Sequence, residues 1–189
     1  MKYTEIIHRA IKFAAKTHQV YQDQKRKGKK IPYITHPLTV GLILSLHGAS
    51  EEVICAGILH DTIEDSPSNK KVTREMIYER FGEKIAELVE SVTDNKLLKG
   101  EARKKDVLER IKSYTNESVL IKSADVMSNI SEILDDHGRY GDEIFSRFSE
   151  PKQPTIQKYL NLIDTLADRW PSCPMNDELR ILADDLKKV

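Results

Sequence analysis

Four side chains able to bind a metal or transfer a proton are crowded into the segment HDTIED, just after an apolar run. They are His60, Asp61, Glu64 and Asp65. If the helix that contains the apolar run continues through this segment, His60 lies in line with Glu64, and Asp61 with Asp65. Three neighbouring carboxylates repel one another unless a cation sits among them or one of them is protonated. The segment therefore predicts a divalent metal site.

Two residues elsewhere in the chain could complete that site. His36, in PYITHPL, stands at the start of the preceding helix, and Asp125, in IKSADVMSNI, lies in an otherwise apolar helix, where an unpaired carboxylate is costly. With His60 and Asp61 they form a set of two imidazoles and two carboxylates, which suits manganese, iron, zinc or magnesium. Each also has a simpler explanation on its own: His36 as a helix cap, and Asp125 as the partner of Lys122.

The other histidines are weaker candidates. His8 and His18 fall on the first predicted helix, where a surface or packing role is expected. His47 and His137 stand beside glycines at the ends of predicted elements. We therefore expect none of these four residues to bind the metal.

The elements that must position these residues are predicted to be helices. Apolar residues recur with helical spacing along nearly the whole chain, and no segment shows the alternation of a strand. Ser50 and Thr73 are typical helix starts, and Gly48 and Gly82 typical helix ends. A polar, cationic loop is expected between the first helix and Tyr33. The fold class is therefore predicted to be all-α, a single helical bundle.

Length and composition predict one domain. The 189 residues suit a single domain over 1–189, with a core at about 4–170 and a C-terminal helix, 176–188, packed on it. The N-terminus has no signal-peptide pattern, no apolar run could span a bilayer, and the two cysteines form no metal-binding or redox motif. A cytoplasmic protein without a membrane partner is expected.

The charge of the chain argues against nucleic acid as a partner. The formal net charge is zero, but residues 25–30 (KRKGKK) hold five cations in six positions and residues 96–105 (KLLKGEARKK) five in ten. Local basic patches in a neutral protein suit a small anionic ligand better than a long polyanion. The apolar C-terminal helices could also pack on a second copy of the chain, so a homo-oligomer stays open.

These motifs resemble those of a known family. The order H…HD…D resembles that of the HD-domain metal-dependent phosphohydrolases. The stretches RKGKKIPYITHPLTV, AGILHDTIEDS, FGEKIAELVESVTD and IKSADVMSNI resemble the hydrolase domain of the Rel/Spo alarmone enzymes, and above all their stand-alone small alarmone hydrolases. The resemblance extends over residues 6–159.

The resemblance implies a reaction and a cofactor. It implies hydrolysis of the 3′-pyrophosphate of ppGpp or pppGpp, which releases GDP or GTP and pyrophosphate. It also implies one manganese ion held by His36, His60, Asp61 and Asp125.

The resemblance also implies roles for other residues. Glu64 and Asp65 match the family's catalytic acidic pair. The residues expected at the phosphorylated nucleotide are Arg26, with Lys25 or Lys27 as the alternative register, Asn129, Tyr159, Lys104 and Lys105. For Lys104 and Lys105, a solvated helix face is the alternative.

The chain departs from the family pattern in two places. The usual His-x-Gly-Gln run is replaced by THQVYQDQKR, which lacks the glycine, and KSADVMSN stands where KLADRLHN is usual, so that Val126 and Ser128 replace a cation and a histidine. The departures at Val126 and Ser128 leave open an HD phosphohydrolase acting on another nucleotide or phosphoester. A nucleotide-binding sensor module is a further alternative, against which the intact metal ligands and the Glu64–Asp65 pair argue.

Overall fold

The chain forms α-helices joined by short loops and turns, and the computed structural model describes residues 2–189. The helices before residue 95 are α1 (Glu5–Ala15), α2 (Thr35–Leu46), α3 (Glu51–Leu59), α4 (Thr62–Asp65), α5 (Arg74–Phe81) and α6 (Glu83–Val92). Those after it are α7 (Gly100–Ile111), α8 (Asn116–Tyr140), α9 (Lys152–Arg169) and α10 (Asn176–Leu186). In residues 2–189 the only β pairing is one isolated bridge, so the all-α prediction is confirmed.

Two predicted helix starts are capped by their hydroxyl groups, and a predicted helix end has a glycine with positive φ. Ser50 Oγ accepts a hydrogen bond from the Val53 amide at 3.4 Å, and Thr73 Oγ1 accepts one from the Met76 amide at 3.3 Å. Gly82, with φ +88°, separates α5 from α6. These side-chain caps satisfy amides that have no partner within the helix.

Helix α3 is the central element of the bundle. It packs against α1, α2, α6 and α8, and every residue from Val53 to Leu59 is buried. At Gly57, a Cβ would lie only 2.3 Å from Leu44 Cδ1. A larger residue there would displace the buried Leu44 side chain, so glycine favours the close approach of α3 to α2. This approach brings the end of α3 beside the start of α2.

Helix α3 does not continue without a break through HDTIED, so the condition for the expected alignment of His60 with Glu64 is not met. Asp61 and Asp65 stay one helical turn apart, since the Asp65 amide donates to the Asp61 carbonyl oxygen at 2.8 Å. Helix α3 ends at Leu59, and the short helix α4 begins at Thr62. His60 Nδ1 and Thr62 Oγ1 bond to the carbonyl oxygens of Gly57 and Leu59, at 2.7 and 2.6 Å. Such side-chain bonds compete with the backbone ladder and favour a turn.

The segment after α1 also differs from the expected loop. The helix continues as a π-helix, Lys16–Val20, and Asp23 then adopts a left-handed conformation with φ +46°. The reversal brings the Gln24 amide within 2.8 Å of the His18 carbonyl oxygen. The family's usual glycine is absent from this segment, and Asp23 instead adopts the left-handed conformation of the tight turn.

The C-terminal helix covers one side of the bundle. Helix α10 packs against α8 and α9, with Leu179 and Leu186 fully buried. None of the helices in residues 2–189 combines the length and the apolar character needed to cross a membrane.

Candidate active site

The predicted metal ligands come together from three helices. His36 lies in the first turn of α2, His60 at the end of α3, and Asp125 in the middle of α8. Each offers one ligand atom, and these atoms lie within 4.8 Å of one another. His36 Nε2 is 3.3 Å from Asp125 Oδ1. Residues far apart in sequence thus form one compact group of nitrogen and oxygen donors.

Asp61 stands beside this group. Its Oδ2 lies 3.1 Å from His60 Nε2 and 3.7 Å from His36 Nε2, and it accepts a hydrogen bond from the Tyr33 hydroxyl. The tyrosine fixes the orientation of the carboxylate, which is the usual role of a partner behind a metal ligand. The turn at His60 and Asp61 therefore directs two consecutive side chains to the same place.

The tautomer of His60 fits a metal. Its Nδ1–H donates to the Gly57 carbonyl oxygen, which leaves the lone pair on Nε2. Nε2 is buried, makes no well-directed hydrogen bond within residues 2–189, and lies 3.1 Å from Asp61 Oδ2. In the neutral imidazole its lone pair faces a carboxylate oxygen, which is costly unless a proton or a cation lies between them. A divalent cation among His36, His60, Asp61 and Asp125 would satisfy it.

The electrostatics of the cluster favour positive charge. Burial acts to lower the pKa of His60, but the carboxylates of Asp61 and Asp125 raise it to about 9. Burial likewise opposes ionisation of Asp61, yet His60 and His36 hold the pKa of its carboxyl below the usual range. A cation placed here meets two carboxylates that are already ionised.

Asp125 has partners on both sides. Oδ1 faces His36, whereas Oδ2 accepts a hydrogen bond from Lys122 Nζ at 2.9 Å. Asn129 Nδ2 also donates to Oδ1, at 2.6 Å. Pairing with Lys122 and a place in the metal cluster are therefore compatible, although the sequence presented them as alternatives.

Ser128, one of the departures from the family pattern, contacts a predicted metal ligand. With Nε2 of His36 facing the cluster, its Nδ1–H donates to Ser128 Oγ at 2.9 Å in a buried contact. A serine can therefore orient this imidazole as a metal ligand requires.

We expect Ser128→Ala to weaken metal binding. Loss of an outer partner of a metal-bound histidine lowers affinity about 10–100-fold, because the tautomer and ring orientation are no longer fixed. Titration of the metal-free protein with manganese, followed by calorimetry, measures the change. Ser131→Ala, on the exposed side of the same helix, is the matched control. Equal affinities in the two variants would show that Ser128 does not act on the metal site.

Glu64 is held next to the metal cluster by contacts with another helix. Its Oε1 accepts a hydrogen bond from Arg103 Nη2 at 2.8 Å, and its Oε2 accepts one from the Asp94 amide at 3.2 Å. Burial, reinforced by the carboxylates of Asp94 and Asp61, raises the pKa of Glu64, while Arg103 opposes the rise. A carboxylate with a raised pKa is suited to accept and return a proton near neutral pH.

Asp65 is held by Gln24, which follows α1, and by Lys96, which follows α6. Gln24 Nε2 donates to Asp65 Oδ2 at 3.0 Å, and Lys96 Nζ pairs with Oδ1. The other end of the Gln24 amide, Oε1, lies 2.7 Å from Nδ1 of the fully buried His18. His18 has the expected packing role, but it also supports a residue that orients the predicted catalytic pair.

A cleft opens from the metal cluster. A cavity of about 160 Å³ lies over the four predicted ligands, and two larger cavities, of about 510 and 500 Å³, continue from it. Arg103, Asn129 and Lys158 line all three. The shared walls make one continuous space, large enough for a phosphorylated nucleotide.

Most of the residues predicted to bind substrate line the cleft. They are Arg26, Lys27, Asn129 and Tyr159, together with Lys25 of the alternative register. Arg26 is anchored by Glu132, to which its Nε donates at 2.6 Å, and by Asn129 Oδ1 at 2.9 Å.

The two lysines of α7 are placed differently. Lys104 lines the 510 Å³ cavity but pairs with Glu101 and Glu150, at 2.8 and 2.6 Å. Lys105 is exposed and lines none of the three cavities. The solvated-face alternative thus describes Lys105, and its predicted role in substrate binding gains no support.

Sequence reasoning missed Arg103, Lys158 and Lys96. Arg103 belongs to the same basic run as Lys104 and Lys105, and only the orientation of α7 decides which of them enters the cleft. Lys158 lies one residue before Tyr159 on α9, and Lys96 opens the basic run. The run itself was the available signal for Arg103 and Lys96, whereas nothing local distinguished Lys158.

The comparisons with known proteins agree with this geometry. Residues 10–140 match the family model of the HD domain. This chain belongs to the HD domain family. The HD-domain match includes all four predicted metal ligands and the predicted catalytic pair.

Relatives of this HD protein are named as ppGpp hydrolases. Guanosine-3′,5′-bis(diphosphate) 3′-pyrophosphohydrolase of Aquifex aeolicus is 38% identical over 135 residues, which are 70% of this chain but only 18% of that protein. MESH1 of Xenopus tropicalis, with the same enzyme name, is 36% identical over 130 residues, 68% of this chain and 69% of that one. The resemblance to Rel/Spo hydrolases is thereby confirmed.

Two solved structures share the fold of this HD protein. A metazoan ortholog of SpoT, described as hydrolysing ppGpp, superposes with a TM-score of 0.78 over 100% of this chain and 97% of that one, at 24% identity. A protein of Listeria monocytogenes EGD-e superposes with a TM-score of 0.72, at 28% identity, over 82% of this chain and 99% of that one.

Proposed function

We propose that this protein is a metal-dependent hydrolase of the 3′-pyrophosphate of guanosine tetra- and pentaphosphate. The products are GDP or GTP and pyrophosphate. The observation that carries the proposal is the buried cluster of His36, His60, Asp61 and Asp125 beside Glu64, at the bottom of a cationic cleft. The similarity to proteins named as 3′-pyrophosphohydrolases selects the substrate class.

The donor set suits manganese. Two imidazoles and two carboxylates, with no thiolate, favour manganese, with iron, zinc and magnesium as alternatives. A divalent cation held there would lower the pKa of a coordinated water and offset the charge of the scissile phosphate.

Glu64 transfers the proton, and Asp65 orients the water. Glu64 accepts the proton of the attacking water and returns it to the 3′ oxygen as the bond from that oxygen to phosphorus breaks, so that the ribose leaves with a 3′ hydroxyl. Asp65, held by Gln24 and Lys96, orients the water. The raised pKa of Glu64, caused mainly by burial, fits this double role.

The cleft supplies positive charge for the phosphates. Arg103 and Lys158 line the cavity above the metal cluster, and Lys27 and Lys104 line the 510 Å³ cavity beyond it. Their charges offset the negative charge of the pyrophosphoryl group while water attacks its phosphorus. Val126 is buried and cannot replace the family's cation, but Lys158 reaches the same space from α9.

The nucleoside is proposed to occupy the cavity of about 500 Å³. Arg26, Asn129 and Tyr159 line it. Arg26 lies over the ring of Tyr33, with its Cζ 5.5 Å from the ring centroid, so one wall carries a planar guanidinium on which a base can stack.

The products test the proposed reaction. The protein is incubated with ppGpp and manganese, and the products are separated by ion-exchange chromatography. GDP and pyrophosphate are expected. Release of orthophosphate, or cleavage on the 5′ side, would contradict the proposal. If ppGpp is not cleaved but another phosphorylated nucleotide is, the alternative suggested by Val126 and Ser128 replaces it.

We expect Arg103→Gln to move the acidic limb of the kcat/KM profile to higher pH. Activity falls as Glu64 becomes protonated, and the charge of Arg103 lowers the pKa of Glu64. Without that charge the pKa rises further, so protonation begins at higher pH. Arg103→Lys should restore most of the profile, and Lys112→Gln, exposed at the end of α7, should leave it unchanged. If the acidic limb of the profile stays in place in Arg103→Gln, Arg103 does not lower the pKa of Glu64.

We also infer a single-domain cytoplasmic protein. Cys55 and Cys173 are free and buried, as expected in a reducing compartment. Helix α10 joins the core through Leu179 and Leu186. The neutral net charge gives no reason to expect nucleic acid, and a homo-oligomer stays a prediction for sedimentation analysis.

A further inference from the structure

A second cationic cavity lies outside the cleft. It has a volume of about 260 Å³ and lies between the π-helix Lys16–Val20, the segment around Lys70 and helix α5. It shares no lining residue with the three cavities of the cleft. Nothing in the proposed reaction uses it.

The charge of this cavity is uncompensated. Lys16, Lys70, Lys71 and Arg80 line it, and no carboxylate does. In the part of the chain that the structure describes, none of these four cations forms a salt bridge within 4.0 Å. The chain as a whole is neutral, so four unmatched cations around one small cavity are a local excess. An anion between them would relieve their repulsion.

Aromatic rings hold three of these cations in place. Lys70 Nζ lies 4.1 Å and Lys16 Nζ 5.5 Å from the centroid of the Tyr21 ring, and Arg80 Cζ lies 5.5 Å from that of Phe13. Cation–π contacts of this kind restrict the positions of long side chains. The charged groups are therefore partly ordered before any ligand arrives, which lowers the entropy cost of binding.

We propose that this cavity is a binding site for a small phosphate-bearing anion of about the size of pyrophosphate. The volume is below the roughly 300 Å³ at which pockets for drug-sized ligands begin, so a whole nucleotide is not expected inside it. Lysine ammonium groups bind phosphate as point charges, and an arginine adds a bidentate donor.

Both walls of the site are connected to the predicted catalytic pair. Lys71 Nζ donates to the Ile63 carbonyl oxygen at 2.6 Å, directly before Glu64. On the other wall, Lys16 and Thr17 precede His18, which contacts Asp65 through Gln24. An anion in the cavity competes with Ile63 for the Lys71 ammonium. Its binding therefore acts on the backbone that carries Glu64 and Asp65.

An NMR titration tests the site. Amide shifts of the metal-free protein are followed as inorganic pyrophosphate is added. We expect saturable shifts at residues 16–21 and 70–73, separate from those in the cleft at Arg103 and Asn129. No turnover is measured, so the outcome does not depend on the proposed reaction. Linear or absent shifts at 16–21 and 70–73 would overturn the proposal.

Charge removal provides the second readout. The double variant Lys16→Gln/Lys70→Gln should weaken binding at this site by about tenfold or more, as expected for the loss of charge-assisted contacts, and leave the cleft shifts unchanged. Lys12→Gln, exposed on α1 and outside the cavity, is the control. The amide spectrum also reports whether the variants are folded. Equal affinities in the double variant and the control would rule the site out.

Discussion

His60→Asn is expected to abolish turnover by removing a metal ligand. The asparagine amide can still donate to the Gly57 carbonyl oxygen as His60 Nδ1 does, but it has no equivalent of Nε2, the buried atom that faces the carboxylate of Asp61. Manganese affinity should fall by more than about a hundredfold, beyond the loss caused by removing an outer partner of a metal ligand. Calorimetry on the metal-free protein gives the affinity, and pyrophosphate release from ppGpp gives the rate.

His8→Asn is the matched control for this substitution. His8 is exposed on α1, and within residues 2–189 its side chain hydrogen-bonds only to the nearby Tyr3 hydroxyl, at 2.7 Å. This variant should keep wild-type metal affinity and rate. If His60→Asn also kept both, His60 would not be a metal ligand and the assignment of the cluster would be wrong.

Glu64→Gln should have the second large effect, on the chemical step alone. General acid–base catalysis contributes about 10²–10⁴-fold, and kcat should fall by that amount, because glutamine cannot accept the proton of the water. Metal affinity should not change, since Glu64 lies outside the cluster of His36, His60 and Asp125. Rates at saturating ppGpp and manganese, with calorimetry for metal binding, separate the two effects.

The stability of Glu64→Gln gives an independent check. Burial raises the pKa of Glu64, so its ionised form is disfavoured in the folded protein above that pKa. The neutral glutamine should therefore unfold at the same temperature as the wild type at pH 7, or at a higher one. Glu87→Gln, exposed on α6, should change neither rate nor stability. A fall in both kcat and unfolding temperature would instead assign Glu64 a structural role.

The cluster of His36, His60, Asp61 and Asp125 could be predicted from the sequence because buried histidines and carboxylates are costly without partners. An aspartate in the apolar α8 and a His-Asp pair after the apolar α3 both require partners, and a cation satisfies them together. The all-α fold followed from the helical spacing of apolar residues in amphipathic helices such as α6, where Ile85, Val89 and Val92 are buried. These features depend on the chemistry of each residue and on local periodicity.

Other features depend on contacts between distant segments. The turn at His60 arises because the side chains of His60 and Thr62 hydrogen-bond to carbonyl oxygens in the last turn of α3. The spacing of apolar residues does not reveal these bonds. The entry of Arg103 rather than Lys105 into the cleft depends on how α7 is rotated against the bundle. Asp23 adopts a left-handed conformation and so positions Gln24, in a segment that lacks the family's usual glycine.

The role of Ser128 shows how a departure from a family motif can be compatible with the same chemistry. From the sequence alone, the loss of a histidine weakens the case for the family's substrate. In the structure, the serine hydroxyl is the hydrogen-bond partner of His36 Nδ1. The departure therefore bears on how the predicted metal ligand His36 is oriented, and the identity of the substrate rests on the cleft.

The central claim is that one divalent cation at His36, His60, Asp61 and Asp125 supports hydrolysis of the 3′-pyrophosphate. The most direct measurement is the initial rate of pyrophosphate release from ppGpp by protein stripped with EDTA, dialysed and titrated with manganese. We predict no release before manganese is added and a rate that saturates at one equivalent per chain. Release that is independent of metal, or none with one equivalent bound, would contradict the claim.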